Sequence, residues 1–254
     1  MKTQEERLEY LLETFIAESD EYADIQIPEG AEDRRRLLRS LMNVRMPDLL
    51  SDQALQIQDE YLRECVDQKG IVNPDDIPVI RDHISLWQGD ITRLKTDAIV
   101  NASNSQMLGC FIPMHTCIDN CIHTYAGVQL RYECFRKMNT FKKIYGSDYE
   151  QQTAGPMLTD GYNLPAKKII HIVGPIVQDS LTPKLEKELA DCYRNTLDLC
   201  KENGLKSVAF CCISTGVFRF PKRRAAEIAV KTVTEWLDEN AGQMERVIFN
   251  VFND

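Results

Sequence analysis

"GDITRLKTDAIVNASN", residues 89–104, decides how the rest of the chain is read. Its core, "DAIVNA" (97–102), is a short apolar run without polar alternation, as a strand covered on both faces requires. On either side, "GDIT" (89–92) and "NASNS" (101–105) are loops of small and polar residues leaving strand-like segments. Further β-rich runs lie at "HISLWQ" (83–88), "KIIHIVG" (168–174), "SVAFCCI" (207–213) and "RVIFNVF" (246–252). Helical patterns over 118–138, 183–203 and 221–239 separate the later runs. In the first, Ile118, Ile122, Ala126 and Leu130 share one stripe; the last opens with Pro221 and ends before Gly242. Strands alternating with helices predict a three-layer α/β domain, with ligands held where loops leave the carboxyl ends of the strands. The chain ends two residues after its last apolar run, where a further C-terminal helix would be expected.

Upstream the texture is different. "RLEYLLETFIAES" sets Leu8, Leu11, Leu12 and Phe15 at helical spacing, and "DRRRLLRSLMNV" and "DLLSDQALQIQDEYLREC" repeat the pattern. "DQKGIVNPDDIP" (67–78) is a loop by composition, so residues 1–75 are expected as a helical extension and 76–254 as the α/β domain. The one dense basic run, "RRRLLRS" (34–40), reads as the solvated face of a helix.

A hydrophobic content of 43% in 254 residues allows a sizeable core. The net charge of -9 and the absence of aromatics interleaved with basic residues argue against nucleic acid as a partner; a nucleotide, if bound, should be small and locally held. No window approaches the roughly 18 uninterrupted apolar residues of a membrane span, so a soluble, cytoplasmic chain is expected. Nine scattered cysteines, with Cys211 and Cys212 adjacent, fit a reducing compartment and leave thiols free for metal.

"SNSQMLGCFIPMHTCIDNCIH" (103–123) holds three of those cysteines and two of the four histidines. Cys110, His115 and Cys117 form C-x4-H-x-C, two soft thiolates and an imidazole, the donor set zinc prefers. Three protein ligands would leave an open, catalytic position, whereas a fourth from Cys121 or His123 would make the site structural. Asp119 stands at a helix start, where a carboxylate commonly caps; His123 and His171 read as packed histidines. In "STGVFRFP" (214–221), small residues around Gly216 offer backbone amides that could cradle an anion without a basic side chain.

Taken in order, "GDITRLKTDAIVNASN", "IDNCIHTYAG" and "ISTGVFRFP" resemble the macrodomain family, which binds ADP-ribose, over about residues 80–254. The resemblance implies a three-layer α/β/α macrodomain with a mixed central sheet. It places Asp90, beside the Ile91 amide, at the adenine amino group and Asn101 and Asn104 near the distal ribose. Ser214, Thr215, Gly216, Val217 and Phe218 would wrap the diphosphate, Phe252 would stack on adenine, and Asn104 and Asp119 would act in catalysis, Asp119 on a nucleophilic water. Where other members have a glycine-rich loop, this chain has "LGCFIPMHTC", which resembles the zinc-dependent branch, as does the helical N-terminal extension. That branch implies one zinc per chain, held by Cys110, His115 and Cys117, and removal of ADP-ribose from protein side chains modified by sirtuin-like transferases. The alternatives are a non-catalytic ADP-ribose reader with a structural zinc, and a redox switch at Cys110 and Cys117.

Overall fold

The computed structural model describes residues 2–252. Helices α1 (Gln4–Ile16), α2 (Ala31–Val44) and α3 (Asp52–Lys69) come first, followed by strands β1 (Val79–Arg81), β2 (Ile84–Gln88) and β3 (Ala98–Ser103). Then come helices α4 (Ile118–Ala126) and α5 (Val128–Tyr145), and strands β4 (Pro156–Asp160) and β5 (Lys168–Val173). Helix α6 (Pro183–Glu202), strand β6 (Ser207–Phe210), helix α7 (Lys222–Glu239) and strand β7 (Arg246–Val251) complete the order.

The strands form one sheet in the order β1-β2-β7-β6-β3-β5-β4. The five inner strands are parallel, while β1 and β4 pair antiparallel at the two edges. Ala98, Ile99 and Val100 of β3 and Ile169, Ile170, His171 and Ile172 of β5 are all buried. Successive side chains on a strand point to opposite faces, so both faces of the sheet are covered, and the fold is a three-layer α/β architecture around a mixed sheet. Because the inner strands are parallel, the loops following β2, β3, β5 and β6 leave the same edge of the sheet, and the candidate ligand loops meet there.

Three expectations about elements need correction. The helix expected over 118–138 is two helices broken at Gly127, where φ is +98° and a Cβ would meet Gln129 Oε1, Gln58 Nε2 and Asn163 Nδ2 at 2.6, 2.8 and 3.0 Å. The apolar stripe still runs across the break, with Ile122, Ala126 and Leu130 all buried, which is why periodicity alone does not reveal it. The run over 207–213 pairs as strand only through Phe210, because the chain leaves the sheet at Cys211 to build the loop that follows. Strands β1 and β4 were not expected; both are short edge strands, and Pro156 is tolerated as the first residue of β4.

A capping box between Thr3 and Glu6 starts α1. Helices α1 to α3 bury Leu8, Leu11, Leu12, Phe15, Leu38, Leu41 and Tyr61 in a second apolar cluster that takes in Val128 of α5. The basic run is not simply a solvated face: Arg35 and Arg36 are exposed, but Arg34 pairs with Glu5 and Glu9, and Arg39 reaches α4. Among the described residues no helix is long and apolar enough to cross a membrane.

Candidate functional site

At the end of β2, the Asn250 side chain donates to the Gly89 carbonyl at 2.9 Å and fixes the turn that presents Asp90. Oδ1 of Asp90 accepts from the Thr92 amide (3.0 Å) and hydroxyl (2.6 Å), capping a short 3-10 turn at Ile91–Arg93. This leaves Oδ2, which lies 3.6 Å from Lys69 Nζ at the end of α3. Ile91 is buried, and Phe252, one residue beyond β7, is 78% exposed.

The loop after β6 turns at Ser214, whose φ of +63° is unusual for a residue with a side chain. Arg219 donates its amide to the Gly216 carbonyl and Phe220 to that of Ser214, both at 3.0 Å, and Val177 binds the Phe218 carbonyl at 2.9 Å. Among the described residues, the amides of Gly216, Val217 and Phe218 have no bonded acceptor, as an anion cradle requires. Gly174 at the end of β5 lets this loop approach: a Cβ there would lie 2.1 Å from Ser214 Oγ.

The loop after β3 brings Cys110, His115 and Cys117 together. Their donor atoms all lie within 4.8 Å of one another, and Cys110 Sγ is 3.5 Å from His115 Nδ1. Cys117 is also the N-cap of α4, its sulfur accepting the Asn120 amide. Burial pushes the Cys117 thiol up to about 12, with the Cys110 sulfur adding to the effect and the Asn120 amide opposing it. That direction at Cys117 runs against a redox switch needing a low-pKa thiol. Cys121 is not in this group; its sulfur faces Arg39 Nη2 at 3.7 Å. His123 is buried and falls outside this group, so among the described residues three donors could hold an ion here.

Asp119 is not the cap of α4. It turns inward, and its Oδ1 accepts from Asn101 Nδ2 at 2.7 Å. Burial lifts its carboxyl to about 6, against the hydrogen bond from Asn101 and the field of Arg131. Asn101, expected near a ribose, is itself fully buried and also contacts Ser103 Oγ (2.9 Å) and His171 Nδ1 (3.0 Å). Asn104 is half-buried and serves its own loop, accepting from the Gln106 and Met107 amides and donating to the Gly109 carbonyl at 3.2 Å. His171 is a satisfied strand histidine, with Thr159 Oγ1 3.0 Å from Nε2. His123 is packed as expected, but neither ring nitrogen has a hydrogen-bond partner; Asp119 Oδ1 is 3.6 Å from Nε2.

Sequence reasoning did not single out Lys69, Arg39, Asn43, Asn120, Arg131 or Gly174. Arg131 alone left a signal, a charge on the buried stripe of α5 with Cys134 and Met138; it bonds the carbonyls of Leu108, Met42, Asn43 and Arg45. The contacts of Lys69, Arg39, Asn43 and Gly174 span too much chain to be read from spacing, and those of Asn120 depend on how the loop before it folds back.

A mixed sheet in a three-layer fold, with an amide-rich loop and a thiol–imidazole loop at the carboxyl ends of its parallel strands, defines an α/β domain with its candidate site at the strand ends. Residues 100–229 match the family model described as Macro domain, and the chain belongs to the macrodomain family. It is 47% identical over 256 residues to a protein-ADP-ribose hydrolase of Treponema medium, covering 99% of this chain and 95% of that protein. A protein-ADP-ribose hydrolase of Staphylococcus aureus strain Mu50 is 44% identical over 255 residues, covering 100% and 93%. Among solved structures, the Trypanosoma brucei macrodomain in complex with ADP-ribose superposes with a TM-score of 0.64 at 29% identity, covering 89% of this chain and 92% of that one.

Proposed function

We propose that this chain is a protein-ADP-ribose hydrolase that works with one zinc ion held by Cys110, His115 and Cys117. The observation that carries the reading is the convergence of those three donors, without a fourth from the described residues, at the strand end that also bears Asn104. The hydrolases of Treponema medium and Staphylococcus aureus, similar along almost the whole chain, support the activity.

In this reading the adenine amino group donates to Asp90 Oδ2, and Phe252 supplies an aromatic face beside it. The amides of Gly216, Val217 and Phe218 hold the diphosphate, so an acidic protein binds an anion with dipoles rather than cations. Cys110, His115 and Cys117 would hold the zinc, which when bound would supply Lewis-acid charge at this end of the cleft. Asp119, whose carboxyl burial lifts to about 6 and Asn101 holds, would take or return a proton near the Cys117 end of α4.

The test is release of ADP-ribose from a modified protein, with and without a strong chelator, together with zinc stoichiometry of the purified chain. Zinc at one per chain, with release lost on chelation and in Cys117→Ala, is expected. Release insensitive to both would sink the zinc half of the proposal, and binding without release would make the chain a reader.

A further inference from the structure

The loop over 104–117 contains no helix or strand, and Met107, Gly109 and Met114 all have positive φ, at 61°, 81° and 58°. Left-handed backbone at two methionines persists only where surrounding contacts hold it. At Met107 they come from Asn104 of the loop itself, and around Met114 and His115 from α2 of the N-terminal segment. Arg39 Nη2 donates to the carbonyl of His115 (2.7 Å) and to Asn120 Oδ1 (3.0 Å). Asn120, fixed by Arg39, donates in turn to the carbonyls of Cys110 (3.3 Å) and Ile112 (3.0 Å), and its amide meets Cys117 Sγ. One turn further along α2, Asn43 Oδ1 accepts from the amide of Met114, the strained residue just before His115, and its Nδ2 donates to Thr124 Oγ1 at 2.9 Å.

Cys110, His115 and Cys117 are thus tied, directly or through Asn120, to Arg39, which lies 71 to 78 residues earlier in the chain. We propose that Arg39 is a positioning residue for the metal loop, assisted by Asn43, and that the N-terminal helices are part of the site. The inference rests on the zinc reading above. Residues that orient metal ligands without touching the metal commonly change affinity by about 10–100-fold when lost.

The experiment measures zinc affinity of the full chain by competition with a chromophoric chelator, for the wild type and for Arg39→Met, Arg39→Lys and Asn43→Ala. Arg36→Met, at an exposed position on the same helix, is the control. Cobalt absorption, ADP-ribose affinity and Tm are recorded alongside. Arg39→Met should weaken zinc about 10–100-fold and alter the cobalt–thiolate bands, while Arg36→Met keeps wild-type zinc and ADP-ribose affinity. Arg39→Lys, which keeps the charge and N–H donors but on a shorter side chain, should recover part of the loss. Wild-type zinc affinity in a folded Arg39→Met, or an equal loss in Arg36→Met, overturns the inference while leaving the zinc reading intact. Should Arg39→Met not fold, an undiminished zinc affinity in both Arg39→Lys and Asn43→Ala overturns it. A wild type that binds no zinc overturns the metal reading and this inference together.

Discussion

The side-chain amide of Asn101 donates to the carboxylate of Asp119 at 2.7 Å, joining the buried end of β3 to the first turn of α4. Both residues are at most 5% exposed, and the Asn101 carbonyl oxygen has no hydrogen-bond partner of its own. An amide at position 119 can replace the carboxylate with little change of shape and still accept from Asn101 Nδ2. Asp119→Asn is therefore expected to keep or raise Tm while lowering turnover on an ADP-ribosylated protein by about 100-fold, the scale of a lost acid–base group. Turnover at the wild-type rate would make Asp119 a structural residue only.

Gly174 and Ser214 make the closest approach at the anion loop. A methyl group at 174 would sit 2.1 Å from Ser214 Oγ and 2.8 Å from Ile213 Cγ2, so the loop after β6 must move. Overpacking of this kind costs about 1–3 kcal/mol, and if the strain appears in the displaced loop, ADP-ribose affinity falls by about tenfold or more. Titration calorimetry on Gly174→Ala should show that fall with zinc content unchanged. Undiminished affinity would remove the 214–218 amides from the binding site.

Much of the sheet is legible before any coordinates because β3, β5 and the start of β6 are apolar on both faces, and the donor trio because its members fall within eight residues. What stays hidden depends on distance in the chain. Strand β4 carries a proline and an aspartate and pairs on one side only, so it lacks the texture of an inner strand. Gly127 ends α4 because three amide side chains from separate elements crowd it, while the apolar stripe continues past it. Arg39 lies in a basic run whose neighbours Arg35 and Arg36 are exposed, and only the docking of α2 on α4 distinguishes it.

Asp90 has two separable duties, and two substitutions divide them. Its Oδ1 caps the turn at Thr92, and its Oδ2 is the acceptor proposed for adenine. Asp90→Ala loses both, with a cap cost of about 1 kcal/mol. Asp90→Asn keeps an acceptor for Thr92 but puts an NH2 donor where the Oδ2 acceptor was. Both should weaken ADP-ribose by roughly 10–100-fold, the worth of a charge-assisted hydrogen bond, and only Asp90→Ala should lower Tm. Zinc content should match the wild type in both; its loss would mean that the two ends of the cleft are not independent.

His171 gives a pH dependence that does not involve the metal loop. Burial lowers its pKa to about 3, so the folded chain keeps it neutral where the unfolded chain, with an ordinary value of about 6.5, takes up a proton. The unfolded state then binds more protons, and stability falls as pH drops below about 6.5 toward 3. Buried His123 acts in the same direction, its pKa also lowered by burial. Asp119 opposes both: its folded carboxyl, raised to about 6, takes a proton before the unfolded one does, so its contribution weakens as pH rises between about 4 and 6. Comparing the wild type with His171→Gln cancels the other two. Between pH 7 and pH 5 the wild type should lose about 2 kcal/mol more than the variant by urea unfolding, that is, about one proton over one and a half pH units. Parallel losses in the two proteins would mean that His171 is already protonated in the fold, with its bonds to Thr159 and Asn101 rearranged to match.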